Sequence, residues 1–153
     1  MGLENLHYLA IDPGEGRTGW AAFDESGDDI EFSAIHGGAD AFMDWLEALE
    51  PAPSEIIFED YSINPAVSHA WSKGGTIQLI GMVKRYARKN SIPVHSQPST
   101  ILKVALLHVG LYTVYYKSDG SKKKHVDDQI SAYAHGVYYL QKHRIRKPRV
   151  AKK

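Results

Sequence analysis

The chain has 153 residues, 43% apolar and 24% charged, with eighteen Lys/Arg, eighteen Asp/Glu and no cysteine. That size and balance suit a single globular domain, and the absence of cysteine excludes a disulfide scaffold and any Cys-ligated zinc. No apolar stretch approaches the ~18 residues of a membrane span, and no basic-then-apolar leader opens the sequence, so no membrane association and a cytoplasmic location are expected.

Residues 8–11 form an apolar run short enough for a strand, and the run ends on Asp12, followed by Pro-Gly-Glu-Gly. Residues 18–23 read as the returning strand of a hairpin. The polar stretch 24–29, with Gly27, makes a turn. Residues 30–35 alternate apolar and polar as a third strand, which Gly37-Gly38 breaks. Residues 39–50 place Phe42, Trp45, Leu46 and Leu49 at helical spacing, and Pro51 and Pro53 close that helix. Residues 54–61 form a fourth strand with the apolar centre Ile56-Ile57-Phe58 and an acidic end, Glu59 and Asp60.

Residues 62–73 read as a polar, aromatic-bearing loop before a helix over 74–89. That helix carries Ile77, Ile80, Val83 and Ala87 on its apolar face, and Lys84, Arg85, Arg88 and Lys89 near the end where cations suit the helix dipole. Residues 92–95 make a short fifth strand. Pro98-Ser99 starts a helix through Ile101, Leu102, Ala105 and Leu106 that Gly110 ends. Residues 111–117 stay open between strand and loop, and 119–124 form a basic loop. A last helix is predicted over 125–143, with Val126, Ile130, Tyr133, Val137 and Leu140 as its core stripe. Beyond a single domain of 1–143, residues 144–153 read as a basic, disordered tail. Three strands followed by alternating helices and strands predict an α/β architecture. Its mixed five-stranded sheet has the first three strands antiparallel and helices on both faces, which is the ribonuclease H-like fold.

A charge at the inner end of a buried strand is expensive unless something cationic neutralises it. Asp12 and Glu59 sit at such ends. We therefore expect Asp12, Glu59 and Asp128, with His125, to bind two Mg2+ or Mn2+ ions, because hard cations prefer carboxylate oxygens. Two ions about 3.5–4 Å apart can activate a water and stabilise the leaving oxygen of a phosphodiester. His125 and Asp128, three residues apart, should project from one side of the last helix. That side continues through Ala132 and His135, and the small Ala132 lets the helix approach the sheet. Each residue also has an ordinary explanation. Asp127 or Asp128 would serve as a helix cap, Glu59 as a strand end and His125 as a packing histidine. Their combination favours a site.

The set Asp12-Pro-Gly-x-x-x-Thr18-Gly19-Trp20, Ile57-Phe-Glu59, Lys73-Gly near Gln78-Leu-Ile-Gly81, and His125-x-x-Asp128 resembles the RuvC family of Holliday junction resolvases. The Lys-Lys-Lys-His-Val-Asp-Asp pattern is most similar to its phage-type members. The resemblance covers about residues 7–143. It implies a Mg2+- or Mn2+-dependent endonuclease that resolves four-way junctions and related branched DNA by paired phosphodiester hydrolysis, leaving 5′-phosphate and 3′-hydroxyl ends. It makes Asp12, Glu59 and Asp128 metal ligands and places His125 where many members carry Asp and some His. Asp127 is the reserve ligand. Tyr61 and Trp71 are the candidates for an aromatic that probes DNA, and a homodimer joined through the helix over 76–89 is implied.

The charge distribution agrees with a polyanionic partner. Residues 1–66 hold fifteen acids and one base, Arg17, whereas residues 67–153 hold seventeen bases and three acids. Halves of opposite sign could also simply neutralise each other in the fold. Lys73, Lys103, Lys122, Lys123 and Lys124 are candidate phosphate contacts, which position DNA without reading its sequence. A related nuclease acting on flaps, forks or RNA–DNA hybrids would carry the same site, and a non-catalytic junction binder is the remaining alternative.

Overall fold

The computed structural model describes residues 3–60 and 74–147. Its strands are β1 (Tyr8–Asp12), β2 (Arg17–Phe23), β3 (Asp29–His36), β4 (Glu55–Asp60) and β5 (Val94–Pro98). They form one sheet in the order β3-β2-β1-β4-β5. The first three pair antiparallel, and β1–β4 and β4–β5 pair parallel. The helices are α1 (Gly38–Glu47), α2 (Gly74–Lys89), α3 (Leu102–His108), the four-residue α4 (Tyr112–Tyr115) and α5 (Asp128–Lys142), with a 3₁₀ turn at Ser99–Ile101 before α3.

Strand periodicity divides the core between the two faces. Leu9 and Ile11 of β1, Trp20 and Ala22 of β2, and Ile56 and Phe58 of β4 pack under α1 and α2. There they meet Phe42, Leu46, Leu79 and Val83. The alternate residues Ala10, Ala21, Phe23 and Ile57 face α5 and meet Ala132, Val137 and Leu140. Helix α5 is covered again from outside by α3 and α4 through Ala105, Leu106, Tyr115, Tyr116 and Ala134. The expected fold, a ribonuclease H-like sheet with helices on both faces, is the fold observed.

Several element ends differ from the sequence reading, for local reasons. Helix α1 stops at Glu47 rather than at residue 50, and Ala48 takes the cap position. Strand β5 is displaced to Val94–Pro98, because its pairing with β4 runs on through Glu59↔Gln97 and Asp60↔Pro98. The ambiguous stretch 111–117 contains α4, where Tyr112 and Tyr116 stack at 5.2 Å on either side of the turn. Helix α5 begins at Asp128, three residues later than expected, since Asp127 has extended backbone (φ −61, ψ 142). His125 and Val126 therefore precede the helix. The expected large-residue stripe is also split between two partners, and small residues line the sheet side.

The segment read as a tail starts inside the described structure. Ile145 packs beside the α5 cluster, and the Arg146 guanidinium binds Asp29 and the Gly27 carbonyl. Residues 148–153 lie outside the described residues.

Candidate active site

The register of the sheet lines up one row of residues that all face α5. Asp12 pairs with Gly19 on β2. The match of Ile11 with Phe58 sets Asp12 beside Glu59, which in turn pairs with Gln97 on β5. Above this row runs the first half of α5. Gly19 makes that approach feasible, because a Cβ there would overlap the Asp128 main-chain carbonyl. About two turns further along, a Cβ on Gly136 would strike the Phe23 ring and come 3.0 Å from the Ala10 Cβ. Helix and sheet thus touch through bare backbone at two points, and Asp128 is delivered over the ends of β1 and β4.

A cleft of about 70 Å³ opens there, lined by Asp12, Glu59, Leu102, Lys122, His125, Val126, Asp128 and Ser131. Four predicted residues from three separate segments, Asp12, Glu59, His125 and Asp128, share this cleft, although His125 reaches it from the extended segment before α5. Asp12 is 5% exposed and Glu59 3%. The register sets their carboxyl groups close enough that Glu59 acts on the titration of Asp12. Burial first, then Glu59, raises the Asp12 pKa well above the ordinary carboxylate value; Asp128 adds to the rise and Ser131 opposes it. A divalent cation entering the cleft would favour the ionised form of Asp12 and so oppose that rise.

Asp128 is less buried and is turned toward the rim. Its Oδ2 accepts from the Arg17 Nε at 2.8 Å, and that carboxylate holds the guanidinium proton more firmly than usual. Behind Glu59 stands His135, 1% exposed, whose Nε2 is 3.5 Å from Glu59 Oε1. Burial pushes its pKa down to about 4, against a smaller opposing pull from Asp12.

The donors suit a hard divalent cation: carboxylate oxygens from three segments with one imidazole beside them. Among the described residues no group of three or more His, Asp or Glu is already spaced to hold an ion. The Asp128 carboxylate is paired with Arg17 instead, with side chains 22% and 38% exposed, while Asp12 and Glu59 are buried.

Other predicted residues are placed differently. Asp127, the reserve ligand, is exposed, does not line the cleft, and instead contributes to the raised pKa of Tyr115. Lys122 lines the cleft. Lys103 donates to the Gly120 carbonyl at 3.1 Å and lies over the Tyr116 ring, Lys123 donates to the Thr113 carbonyl at 2.7 Å, and Lys124 lies over the Tyr115 ring. These three brace the basic loop against α3 and α4. Tyr61, Trp71 and Lys73 lie outside the described residues.

Arg17, Ser131, Gln97 and His135 are neighbours of the site that the sequence reading did not assign to it. Arg17 had a signal, as the one base among the first 66 residues. Ser131 and His135 follow Asp128 at i+3 and i+7, one helical face. Gln97 had none, because only the β4–β5 register carries it there.

A 3-2-1-4-5 sheet whose first and fourth strands end side by side on carboxylates, under a helix bearing a third, is the ribonuclease H-like fold. Within that class its fold is the fold of RuvC-type resolvases. The Thermus thermophilus RuvC in complex with Holliday junction substrate superposes with a TM-score of 0.58, at 15% identity over 93% of this chain and 99% of that one. A second Thermus thermophilus RuvC structure gives 0.56 at 16% identity, covering 93% and 99%. The fowlpox virus Holliday junction resolvase gives 0.55 at 13% identity, covering 89% and 98%. No family model and no curated protein matches the sequence. At these identities the likeness is one of fold.

Proposed function

We propose that the chain is a divalent-metal-dependent endonuclease that resolves four-way junctions and related branched DNA, leaving 5′-phosphate and 3′-hydroxyl ends. The observation that carries this reading is the Asp12–Glu59 pair: two buried carboxyl groups, side by side in a cleft shared with Asp128. Neighbouring buried acids cannot both ionise without a cation, and a structural role would be better served by apolar side chains. The fold shared with a RuvC bound to junction substrate supplies the substrate class.

Asp12, Glu59 and Asp128 would hold two Mg2+ or Mn2+ ions, with His125 assisting from the cleft wall. When bound, the ions supply activation of the attacking water and neutralisation of charge on the phosphodiester. Asp128 must exchange Arg17 for this task. Lys122, beside the acids, offers a cation to the phosphate that enters, and the basic second half of the chain supplies less specific backbone contacts. Cutting two opposed strands calls for two copies, and α2 is the surface we assign to self-association.

The test is a cleavage panel of four-way junction, fork, flap and RNA–DNA hybrid with Mg2+, run on wild type and Asp12→Asn. The expected result is preferential junction cutting by wild type, and junction binding without cutting by the variant. Equal cutting of every substrate would remove the resolvase reading. Undiminished cutting by Asp12→Asn would remove the site, and a monomer in sedimentation with junction DNA would remove the dimer.

A further inference from the structure

His135 lies two turns along α5 from Asp128, sealed from solvent. A histidine so enclosed is expected to have both ring nitrogens bonded, yet only one is. The Gln97 carboxamide nitrogen donates to the His135 carbonyl oxygen at 2.8 Å and stands 3.3 Å from the His135 Nδ1. The first contact decides which end of the amide faces the helix, since a carbonyl oxygen only accepts. The second hydrogen of the same NH2 group then points to Nδ1, which must accept it. The ring proton is therefore on Nε2. That nitrogen has no hydrogen bond among the described residues and stands 3.5 Å from Glu59 Oε1, a few tenths of an ångström beyond ordinary hydrogen-bond length.

Packing alone does not account for this arrangement. Leucine would fill the same space without the unbonded Nε2, losing only the Gln97 bond to Nδ1. The tautomer, moreover, is set by a residue on another element, and the protonated nitrogen stands 3.5 Å from an acid of the cleft. We propose that His135, locked by Gln97 with its proton on Nε2, is the positioning residue of Glu59. Its N–H tethers Oε1, so the carboxylate is held toward Asp12 instead of rotating away. His135 touches no reacting atom, and its task is to fix the direction of a ligand. Partners of this kind, one step behind a metal's ligands, commonly govern affinity. The inference rests on the metal-binding reading of Asp12 and Glu59.

Two measurements test it. Long-range proton–nitrogen correlation spectra of the metal-free protein, with the His135 signals assigned through His135→Gln, report the tautomer. The proton is expected on Nε2, and a proton on Nδ1 overturns the proposal. Calorimetric titration with Mn2+ then compares wild type, His135→Leu, His135→Gln and Asp12→Asn. Wild type should bind, Asp12→Asn should not, and His135→Leu should bind about 10–100-fold more weakly. His135→Gln, which keeps a donor, should recover part of the loss. Equal affinity in wild type and both His135 variants overturns the positioning role while leaving the metal reading intact. Absence of Mn2+ binding by wild type overturns both. Should His135→Leu fail to fold, the tautomer and the His135→Gln titration still decide.

Discussion

Strand β4 carries two glutamates on the face that meets α5, one at each end, in opposite surroundings. Glu55 has a quarter-exposed side chain between two histidines, with His95 Nε2 at 2.8 Å and His7 Nε2 at 3.7 Å. Glu59 is 3% exposed beside a second carboxyl group, next to a histidine whose burial keeps it uncharged at neutral pH. The first end surrounds an acid with donors, water and potential cations. The second crowds acids together away from water. The acid among the histidines is placed as a carboxylate that serves the fold. Two acids set side by side away from water, one with its pKa raised, are instead the kind of perturbed group that clusters at functional sites.

The largest test of this contrast is to neutralise one acid at each end. Asp12→Asn should lower junction cleavage by at least about 10²–10³-fold, the usual loss when a preorganised electrostatic group is removed. It should also raise the metal-free Tm, since it relieves the crowded pair. Glu55→Gln should leave cleavage unchanged. Equal losses from the two variants would erase the distinction between the two ends.

A pH series sharpens it next. The folded-state pKa of Asp12 is raised, so the stability it contributes is fully present below about pH 4, the unfolded value, and is lost as the pH rises through the folded one. His135 works in the other direction: its folded pKa of about 4 lies below the unfolded value near 6.5, so its contribution is present above about 6.5 and fades as the pH falls toward 4. Both proteins in the comparison keep His135. Without metal, the Tm of wild type should therefore fall relative to Asp12→Asn as the pH is raised from 4. Mg2+ at higher pH should restore wild type and leave the variant unmoved.

Smaller effects are expected at the rim. Arg17→Gln frees Asp128 from a half-exposed ion pair, and such pairs contribute little to stability. The variant should bind Mn2+ a few-fold more tightly in calorimetry, with little change in Tm. Smallest of all, Glu55→Gln should lower Tm by no more than about 2–4 °C in a thermal scan, the equivalent of about 1 kcal/mol in a domain of this size. A larger loss would mean that the Glu55 end carries more of the fold than its exposure suggests.

What could be read without coordinates follows from which interactions are local. Asp12 and Glu59 stood out because an acid closing an apolar strand is visible along the chain, and Ala132 marked the close side of the last helix. The start of α5 was misplaced because the apolar Val126 continues the helical spacing, although it is buried from an extended segment. The Arg17–Asp128 pair spans 111 positions, and the Gln97–His135 contact depends on β5 pairing with β4 through residue 97. No periodicity encodes either. The lysines illustrate the converse, since their charge was evident but the carbonyls and rings that engage Lys103, Lys123 and Lys124 were not.

Gly19 has a mechanical consequence. With nothing but hydrogen on its α-carbon, peptide rests on peptide where α5 crosses β2, and a contact of that kind has no rotamer through which to yield. It acts as a fixed spacer, gauging how far an acid on the helix stands from one on the strand. Filling that seat with a methyl group would jack the helix upward and carry Asp128 away from Asp12, with no charged group removed.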